Sequence, residues 1–315
     1  MLFSVAAMHI PDGFLSTLVS IILWLLTILV VGYALKRVSA DLGERQVPLM
    51  GVLAAAIFAG QMLNFTVLGG TSGHLMGAAI ATILLGPWAA ILVMTCVVAI
   101  QALIFQDGGL LALGANIFNM GILGVLVSYF VYQTVKRLSG GRSWGIFAGG
   151  FSAGWLSIVV SALAVALQLA FSNTSPADIA IPAMAAIHAL IGVGEGLITL
   201  GALAFVYSTR PDLLKSGVQE AVGGKLVWVA GLLVALVLAI ASPLASANPD
   251  GLEWVAEQKG FLDTARGPLF NLIPDYNLPG VSNQALATIL AGILGTVIVF
   301  VVALAVAYTR RHKRK

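Results

Sequence analysis

Seven residues near the start of the chain have the types and spacing that a transition metal could use. Residues 8–14 (MHIPDGF) lie directly before the first long apolar run. If Met8 begins the functional protein, its free amine, the His9 amide nitrogen and the His9 imidazole Nδ1 can chelate one ion in adjoining five- and six-membered rings. Square-planar nitrogen coordination suits Ni(II) or Cu(II), whereas zinc prefers a tetrahedron and calcium or magnesium prefers oxygen ligands.

A fourth donor is needed to complete such a plane, and the obvious one is His74 in the polar segment 69–74 (GGTSGH). The alternative interpretation is that residues 8–14 only begin a helix. Pro11 restricts the backbone of Ile10, and Asp12-Gly13 favours a turn. Spacing alone favours this second interpretation.

The elements that position these residues must be membrane helices. The 315 residues are 59% hydrophobic and 9% charged, which excludes a soluble domain and indicates apolar helices that span a bilayer. The single cysteine, Cys96, lies within an apolar run, so the sequence predicts neither a disulfide framework nor a thiolate metal cluster.

We therefore predict an all-α polytopic membrane protein with about nine crossings. The run 75–105 has no charge and would be roughly 46 Å long as one helix, so Gly86-Pro87 must break it in two. The first piece is then too short to cross alone unless the polar residues before it are buried at membrane depth, which places His74 there. The other predicted spans are 15–35, 47–63, 116–135, 144–171, 179–208, 226–244 and 285–307.

The distribution of basic residues predicts the orientation. With nine crossings, fourteen of the sixteen Lys and Arg fall on one side, and only Lys259 and Arg266 fall on the other. The positive-inside rule makes the first side cytoplasmic. The amino terminus, the His74 loop, Gln106-Asp107 and the segment 245–284 are thus predicted outside, and the carboxyl terminus in the cytoplasm.

Several stretches resemble one family of membrane proteins, the CbiM/NikM substrate-binding components of energy-coupling-factor transporters for cobalt and nickel. They are MHIPDGF (8–14), GGTSGHL (69–75), QALIFQDGGLLALGANIFNMGI (101–122) and HALIGVGEGLIT (188–199). The later PDGLE (249–253) and LIPDY (272–276) resemble the small NikN-like partner subunit, fused in frame. Residues 1–7 depart from the family pattern, and we interpret them as a misannotated or removed extension.

The resemblance implies a metal site, a fold and partners. It implies Met8, His9 and His74 as metal donors and cobalt or nickel as the transported ion, with no catalytic cofactor. Between the two ions, coordination geometry favours Ni²⁺, with Co²⁺ close behind. It implies a seven-helix bundle in residues 8–215, with residues 216–315 adding two transmembrane helices around the outward loop 245–284. It also implies a transmembrane coupling subunit and two ATPase subunits as partners in the inner (cytoplasmic) cell membrane, with no nucleic acid.

Further polar residues at membrane depth have two interpretations. Asn64, Gln106 and Asn116 could hold His74 and the N-terminal loop in place, or could only join helices of a packed bundle. Asp107 could attract cations or cap a helix. His188 and Glu195 share one helix face and could form a mutually satisfied buried pair, so we do not include them among the ligands.

Other function classes have less support. The sequence contains no G-x-x-x-x-G-K-[ST] stretch, so this chain cannot hydrolyse ATP through a P-loop and must draw energy from partners or from a gradient. A secondary transporter or channel would call for paired intramembrane carboxylates or inverted repeats, and neither is found. A membrane enzyme of cobalamin or metallocentre assembly would need a nucleophile and a base close together. The sequence offers no such arrangement beyond the isolated His188 and Glu195.

Overall fold

The computed structural model describes residues 8–41, 46–214 and 225–311, and this part of the chain is mostly helical. The predicted extension 1–7, Arg45, Lys215 and the last four residues lie outside the described residues. The helices are α1 (Thr17–Asp41), α2 (Gln46–Gln61), α3 (Ala78–Leu85), α4 (Pro87–Ile100), α5 (Leu113–Asn116), α6 (Gly124–Leu138), α7 (Trp144–Phe171), α8 (Ala177–Thr209), α9 (Lys225–Ala241), α10 (Gly251–Lys259) and α11 (Gln284–Arg311).

Helices of membrane-spanning length confirm the prediction of a mainly helical membrane protein. Six segments of the described chain are long and apolar enough to cross a bilayer. They are Thr17–Ser39, Pro87–Phe105, Leu113–Leu138, Trp144–Phe171, Ala177–Thr209 and Gln284–Thr309. The predicted total of about nine crossings counts three shorter apolar helices as well, α2, α3 and α9. The total and the orientation stay predictions.

The predicted break between α3 and α4 is confirmed. Gly86 has a φ of 80°, which a residue with a side chain rarely adopts, and Pro87 occupies the first turn of α4, where its missing N–H is tolerated. Helix α3 is only eight residues long, which is too short to cross a bilayer alone. The chain before it is non-helical and mostly buried. This irregular stretch carries His74.

The region between α2 and α3 corrects one expectation, because we predicted a loop there. Strands β1 (Phe65–Val67) and β2 (Thr71–Gly73) form an antiparallel hairpin in which Phe65 faces Gly73. The hairpin is completed by the later polar segment, since Ser72 N donates to Pro249 O at 2.8 Å. Its backbone groups are therefore paired without a helix.

Close packing through small residues positions the remaining helices. Gly192 and Gly196 of α8 lie so near Trp155 and Phe151 of α7 that an added Cβ would be 3.0 Å from each backbone oxygen. Such contact between backbones is typical of helices in membranes. Helices α2 and α9 pack through small residues too, the buried Ala55, Ala59, Ala235 and Ala239, and α11 packs beside them through Ile293 and Phe300.

Candidate metal centre

The N-terminal loop is held by hydrogen bonds from the segment between α4 and α6. The Asn116 side chain binds both backbone groups of Ile10, accepting from its N–H at 3.0 Å and donating to its oxygen at 3.1 Å. The Asp12 carboxylate accepts from the backbone of Leu110 at 3.1 Å and of Ala112 at 2.9 Å. These bonds fix the path of residues 8–12 across the end of the bundle.

Two glycines let the loops approach this closely. A Cβ on Gly109 would be 2.1 Å from Asp12 Oδ1, and one on Gly108 would be 2.9 Å from both Asn116 Nδ2 and His9 Cβ. Gly108 also has a φ of 94°, in the region that favours glycine. The sequence Asp107-Gly108-Gly109 is thus required by the contact with residues 9–12.

Asp107 contacts the first two residues of the described chain. Its Oδ1 accepts from the main-chain nitrogen of Met8 at 2.9 Å and lies 3.0 Å from Nδ1 of His9. Its Oδ2 accepts from the Tyr276 hydroxyl at 2.7 Å. Burial alone would lower the pKa of His9, but the Asp107 carboxylate outweighs it and raises that pKa. Burial opposes ionisation of Asp107, yet the contacts with His9 and Tyr276 hold its pKa below the ordinary value.

His9 is buried without good partners. Its side chain is 3% exposed, and neither ring nitrogen makes an aligned hydrogen bond with the described residues, because the short contact with Asp107 lies off the N–H direction. The His9 amide nitrogen also has no hydrogen bond within the described part of the chain, although the nitrogens of Met8 and Ile10 on either side do. Buried polar groups are normally satisfied, so these nitrogens indicate a site for a ligand.

His74 lies beside His9. The ring centroids are 5.7 Å apart and the rings are at 70° to each other. Nδ1 of His74 is 3.0 Å from the Leu75 oxygen, and because a carbonyl can only accept, Nδ1 carries the proton and Nε2 is left for a metal. Burial and the neighbouring His9 lower the pKa of His74, which favours the neutral imidazole that binds metals.

A cavity of about 90 Å³ joins these groups. Met8, His9, His74, Asn116, His188 and Asp250 are among the residues that line it. In the described residues, no three His, Cys, Asp or Glu side chains lie together as a metal cluster. The cavity thus brings together the predicted donor residues Met8, His9 and His74.

Comparison with known families decides the relationship. Residues 9–213 match the family CbiM, described as the cobalt uptake substrate-specific transmembrane region, and residues 225–312 match the PDGLE domain. The chain belongs to the CbiM family. The resemblance seen in the sequence is thereby confirmed, for the CbiM region and for the fused PDGLE domain.

Individual relatives agree with this assignment. The putative fused nickel transport protein NikMN of Archaeoglobus fulgidus is 41% identical over 309 residues, which cover 96% of this chain and 98% of that protein. The fused nickel transport protein NikMN of Rhodobacter capsulatus is 33% identical, covering 79% of this chain and 76% of that protein. The crystal structure of a truncated transition metal transporter matches with a TM-score of 0.57 and 33% identity, over 64% of this chain and 98% of that chain. The CbiM family thus consists of transport components and not of enzymes.

The structure separates the predicted supporting residues of the CbiM region into two groups. Asn116 and Asp107 contact the N-terminal loop directly, as described above. Asn64 and Gln106 do not line the cavity. The Gln106 amide donates to the Ile104 oxygen at 2.9 Å, and the backbone oxygen of Asn64 accepts from Ser246 at 2.8 Å. Asn64 thus joins two loops, whereas the Gln106 side chain bonds only within its own segment.

The suggestion that His188 and Glu195 form a mutually satisfied pair is wrong. Glu195, fully buried on α8, accepts from the backbone N–H groups of Met76 at 2.7 Å and Gly77 at 3.0 Å. His188 Nδ1 instead donates to the Met184 oxygen at 2.9 Å. Glu195 thus caps the two backbone N–H groups that directly precede α3, and it fixes the backbone that follows His74.

Two residues of the PDGLE domain at the site were missed. Tyr276 contacts Asp107, and Asp250 lines the cavity while its carboxylate caps α10 by accepting from Glu253 N at 2.8 Å. Burial raises the pKa of Asp250 to about 8. Both residues belong to the quoted motifs PDGLE and LIPDY, and this was the available signal. Their contacts join residues far apart in the chain, which no spacing rule reveals.

Proposed function

We propose that this protein captures a divalent transition-metal ion at high affinity and serves as the substrate-binding component of an ATP-driven energy-coupling-factor transporter. One observation carries the proposal. The two imidazoles and the first main-chain nitrogens of the described chain meet at one buried cavity, and the His9 nitrogens there are without aligned partners. The family assignment and the names of the relatives support metal transport.

The proposed donors are four nitrogens. They are the amine of Met8 as the first residue of the functional protein, the amide nitrogen and Nδ1 of His9, and Nε2 of His74. The arrangement of Met8 and His9 around Asp107 supports this set, since both are held at the same edge of the cavity. Asn116 positions the loop that carries them.

Nickel is the favoured ion, with cobalt close behind. Binding an amide nitrogen requires its deprotonation, and Ni(II) offsets that cost better than Co(II). The two fused relatives named above are nickel transport proteins, whereas the matching family is described as a cobalt uptake region. The preference for nickel therefore rests on coordination chemistry.

Transport requires partners that hydrolyse ATP. We propose a transmembrane coupling subunit and two ATPase subunits, because the chain lacks a P-loop. We propose further that the chain crosses the cytoplasmic membrane about nine times, with its amino terminus outside and residues 8–215 and 216–315 as its two parts. Loaded at the outer face, the protein would release the ion after its partners reorient it.

The test is metal binding by the purified full-length protein. We expect Ni²⁺ to bind with the d–d absorption band of yellow, square-planar Ni(II), and to outcompete Co²⁺ in uptake of the radioactive ions. A high-spin Co(II) spectrum, with cobalt uptake unchanged in excess nickel, would overturn the preference. Failure of both ions to bind would overturn the proposed function.

A further inference from the structure

One carboxylate joins the two parts of the chain at the candidate metal centre. Oδ1 of Asp107 holds the Met8 nitrogen at 2.9 Å and contacts His9 Nδ1 at 3.0 Å, while Oδ2 accepts from the Tyr276 hydroxyl at 2.7 Å. All three groups are buried or partly buried. Tyr276 of the PDGLE domain thus reaches the proposed donor nitrogens through the Asp107 side chain.

Left-handed backbone and aromatic stacking fix the position of Tyr276. Asp275 and Tyr276 have φ values of 52° and 56°, and such left-handed backbone is rare for residues with side chains and is retained only where surrounding contacts over-determine it. The Tyr276 ring stacks on Phe105 at a centroid distance of 4.8 Å, and Ile273 N donates to Ile104 O at 3.1 Å. The strained backbone and the stacked ring together place the hydroxyl against Asp107.

Packing alone does not account for this residue. A phenylalanine would stack equally well on Phe105, and it would need no partner for a buried hydroxyl. The hydroxyl instead goes to the carboxylate that holds both Met8 and His9. The Tyr276 hydrogen bond to Oδ2 fixes the orientation of the Asp107 carboxylate, and this orientation sets where Oδ1 meets Met8 and His9. Groups that hydrogen-bond to metal ligands affect metal affinity strongly.

We propose that Tyr276 is a positioning residue for metal loading, which acts through Asp107 on the N-terminal loop. This inference rests on the proposed function. A ring nitrogen that binds a metal through its lone pair cannot donate to Asp107, so loading removes the His9 contact from Oδ1. The Tyr276 hydrogen bond remains and keeps the buried carboxylate paired, which stabilises the loaded protein relative to a protein without that hydroxyl.

The test compares two Tyr→Phe variants of the full-length protein. Tyr276→Phe should weaken Ni²⁺ binding by roughly tenfold, the lower end of the effect of losing a partner of a metal ligand. Tyr132→Phe is the matched control, because the Tyr132 side chain is buried and its hydroxyl has no hydrogen-bond partner within the described residues. The control should bind Ni²⁺ as the wild type does. Loss of the hydroxyl leaves the buried Asp107 Oδ2 without its partner and should lower the Tm of the metal-free protein. The further rise in Tm on adding Ni²⁺ should also shrink in Tyr276→Phe, but not in Tyr132→Phe.

A double-mutant cycle tests whether Tyr276 acts through Asp107. In an Asp107→Asn background, Tyr276→Phe should cause no further loss of Ni²⁺ affinity. The inference is overturned if the two losses multiply, if Tyr276→Phe binds Ni²⁺ as the wild type does, or if its rise in Tm on adding Ni²⁺ equals that of the wild type. The proposed function fails separately, through absence of Ni²⁺ binding by the wild type or unchanged binding by His74→Ala.

Discussion

At the scale of single residues, His9 is almost completely buried, yet its nitrogens lack well-aligned hydrogen-bond partners within the described residues. Its side chain is 3% exposed, and its amide and both ring nitrogens lack aligned partners within the described residues. Leaving such groups unpaired costs about 1–3 kcal/mol each, which a protein retains where a ligand repays it. The same geometry explains why Met8 and Ile10 are held firmly on either side.

The histidine donors can be tested by substitution. His9→Ala and His74→Ala should each weaken Ni²⁺ binding by more than about 100-fold, since loss of an outer partner alone already costs up to that factor. His188→Ala, which removes a ring from the same cavity, should leave the affinity within about threefold of the wild type, because Nδ1 of His188 already donates to the Met184 oxygen and we do not include His188 among the donors. Equilibrium measurements of Ni²⁺ binding by the purified variants test this prediction, and an unaltered affinity in His74→Ala would refute the proposed site.

The sequence predicted these residues unequally. Met8, His9 and His74 followed from coordination chemistry and the resemblance, because nitrogen donors are recognisable by type. The supporting roles of Asn116 and Asn64 could not be separated, since both are amides in apolar surroundings. Tyr276 lies 169 positions from Asp107, so only the folded chain shows their contact.

At the scale of elements, breaks in helices divide into those with a sequence signal and those without one. Gly86-Pro87 predicted the end of α3 correctly. The π-helical turns Gln101–Phe105 and Ile117–Leu123, on either side of the Asp107 loop, contain no such signal, because any residue can occupy them. The hairpin was also missed, since two three-residue strands depend on pairing with distant Pro249.

Glu195 should couple helix α8 to the backbone that carries His74. Replacing Glu195 by alanine leaves the buried N–H groups of Met76 and Gly77 without an acceptor, at a cost of about 1–3 kcal/mol. We expect a lower Tm in detergent and weaker Ni²⁺ binding. Glu195→Gln retains one acceptor oxygen at the same size and should lose less on both measurements. Equal losses for the two variants would contradict the capping role.

The N-terminal loop yields a prediction about the mature chain. An amine can bind the metal only if Met8 has a free end, and removal of this methionine is disfavoured by the bulky His9 behind it. Edman or mass-spectrometric sequencing of the purified protein should therefore read MHIPDG. A mature chain that retains residues 1–7 and still transports nickel would show that the amine is not a ligand.

At the scale of the whole molecule, the PDGLE domain forms a cover over the N-terminal loop. Arg266 N donates to the Asp12 oxygen at 2.7 Å, and Phe261 packs edge-to-face on Phe14 with centroids 5.2 Å apart. Residues 245–284 of this domain contain no histidine or cysteine, the ligands that a selective transition-metal site would use. We therefore expect the domain to assist loading rather than to supply the donors.

Removal of the residues after 224 can distinguish a domain that assists loading from one that supplies metal donors. Residues 8–224 should still bind Ni²⁺ after purification, weakened no more than by Tyr276→Phe, whereas uptake by cells should fall. The solved truncated transporter is covered to 98% by 64% of this chain, so a fold of that extent forms in a shorter protein. Complete loss of binding on truncation would mean that the PDGLE domain provides ligands, with Asp250 the first to examine.

The contact at Gly13 has a consequence for the rate of ion exchange. A Cβ at this position would lie 2.0 Å from the Thr264 oxygen, so the cover meets the N-terminal loop backbone to backbone. We expect residues 264–266 to separate from residues 12 and 13 before an ion leaves the cavity. We therefore expect the residence time of the ion to be set by the opening of this contact, so that a larger residue at Gly13 would hasten release even where the donor nitrogens are intact.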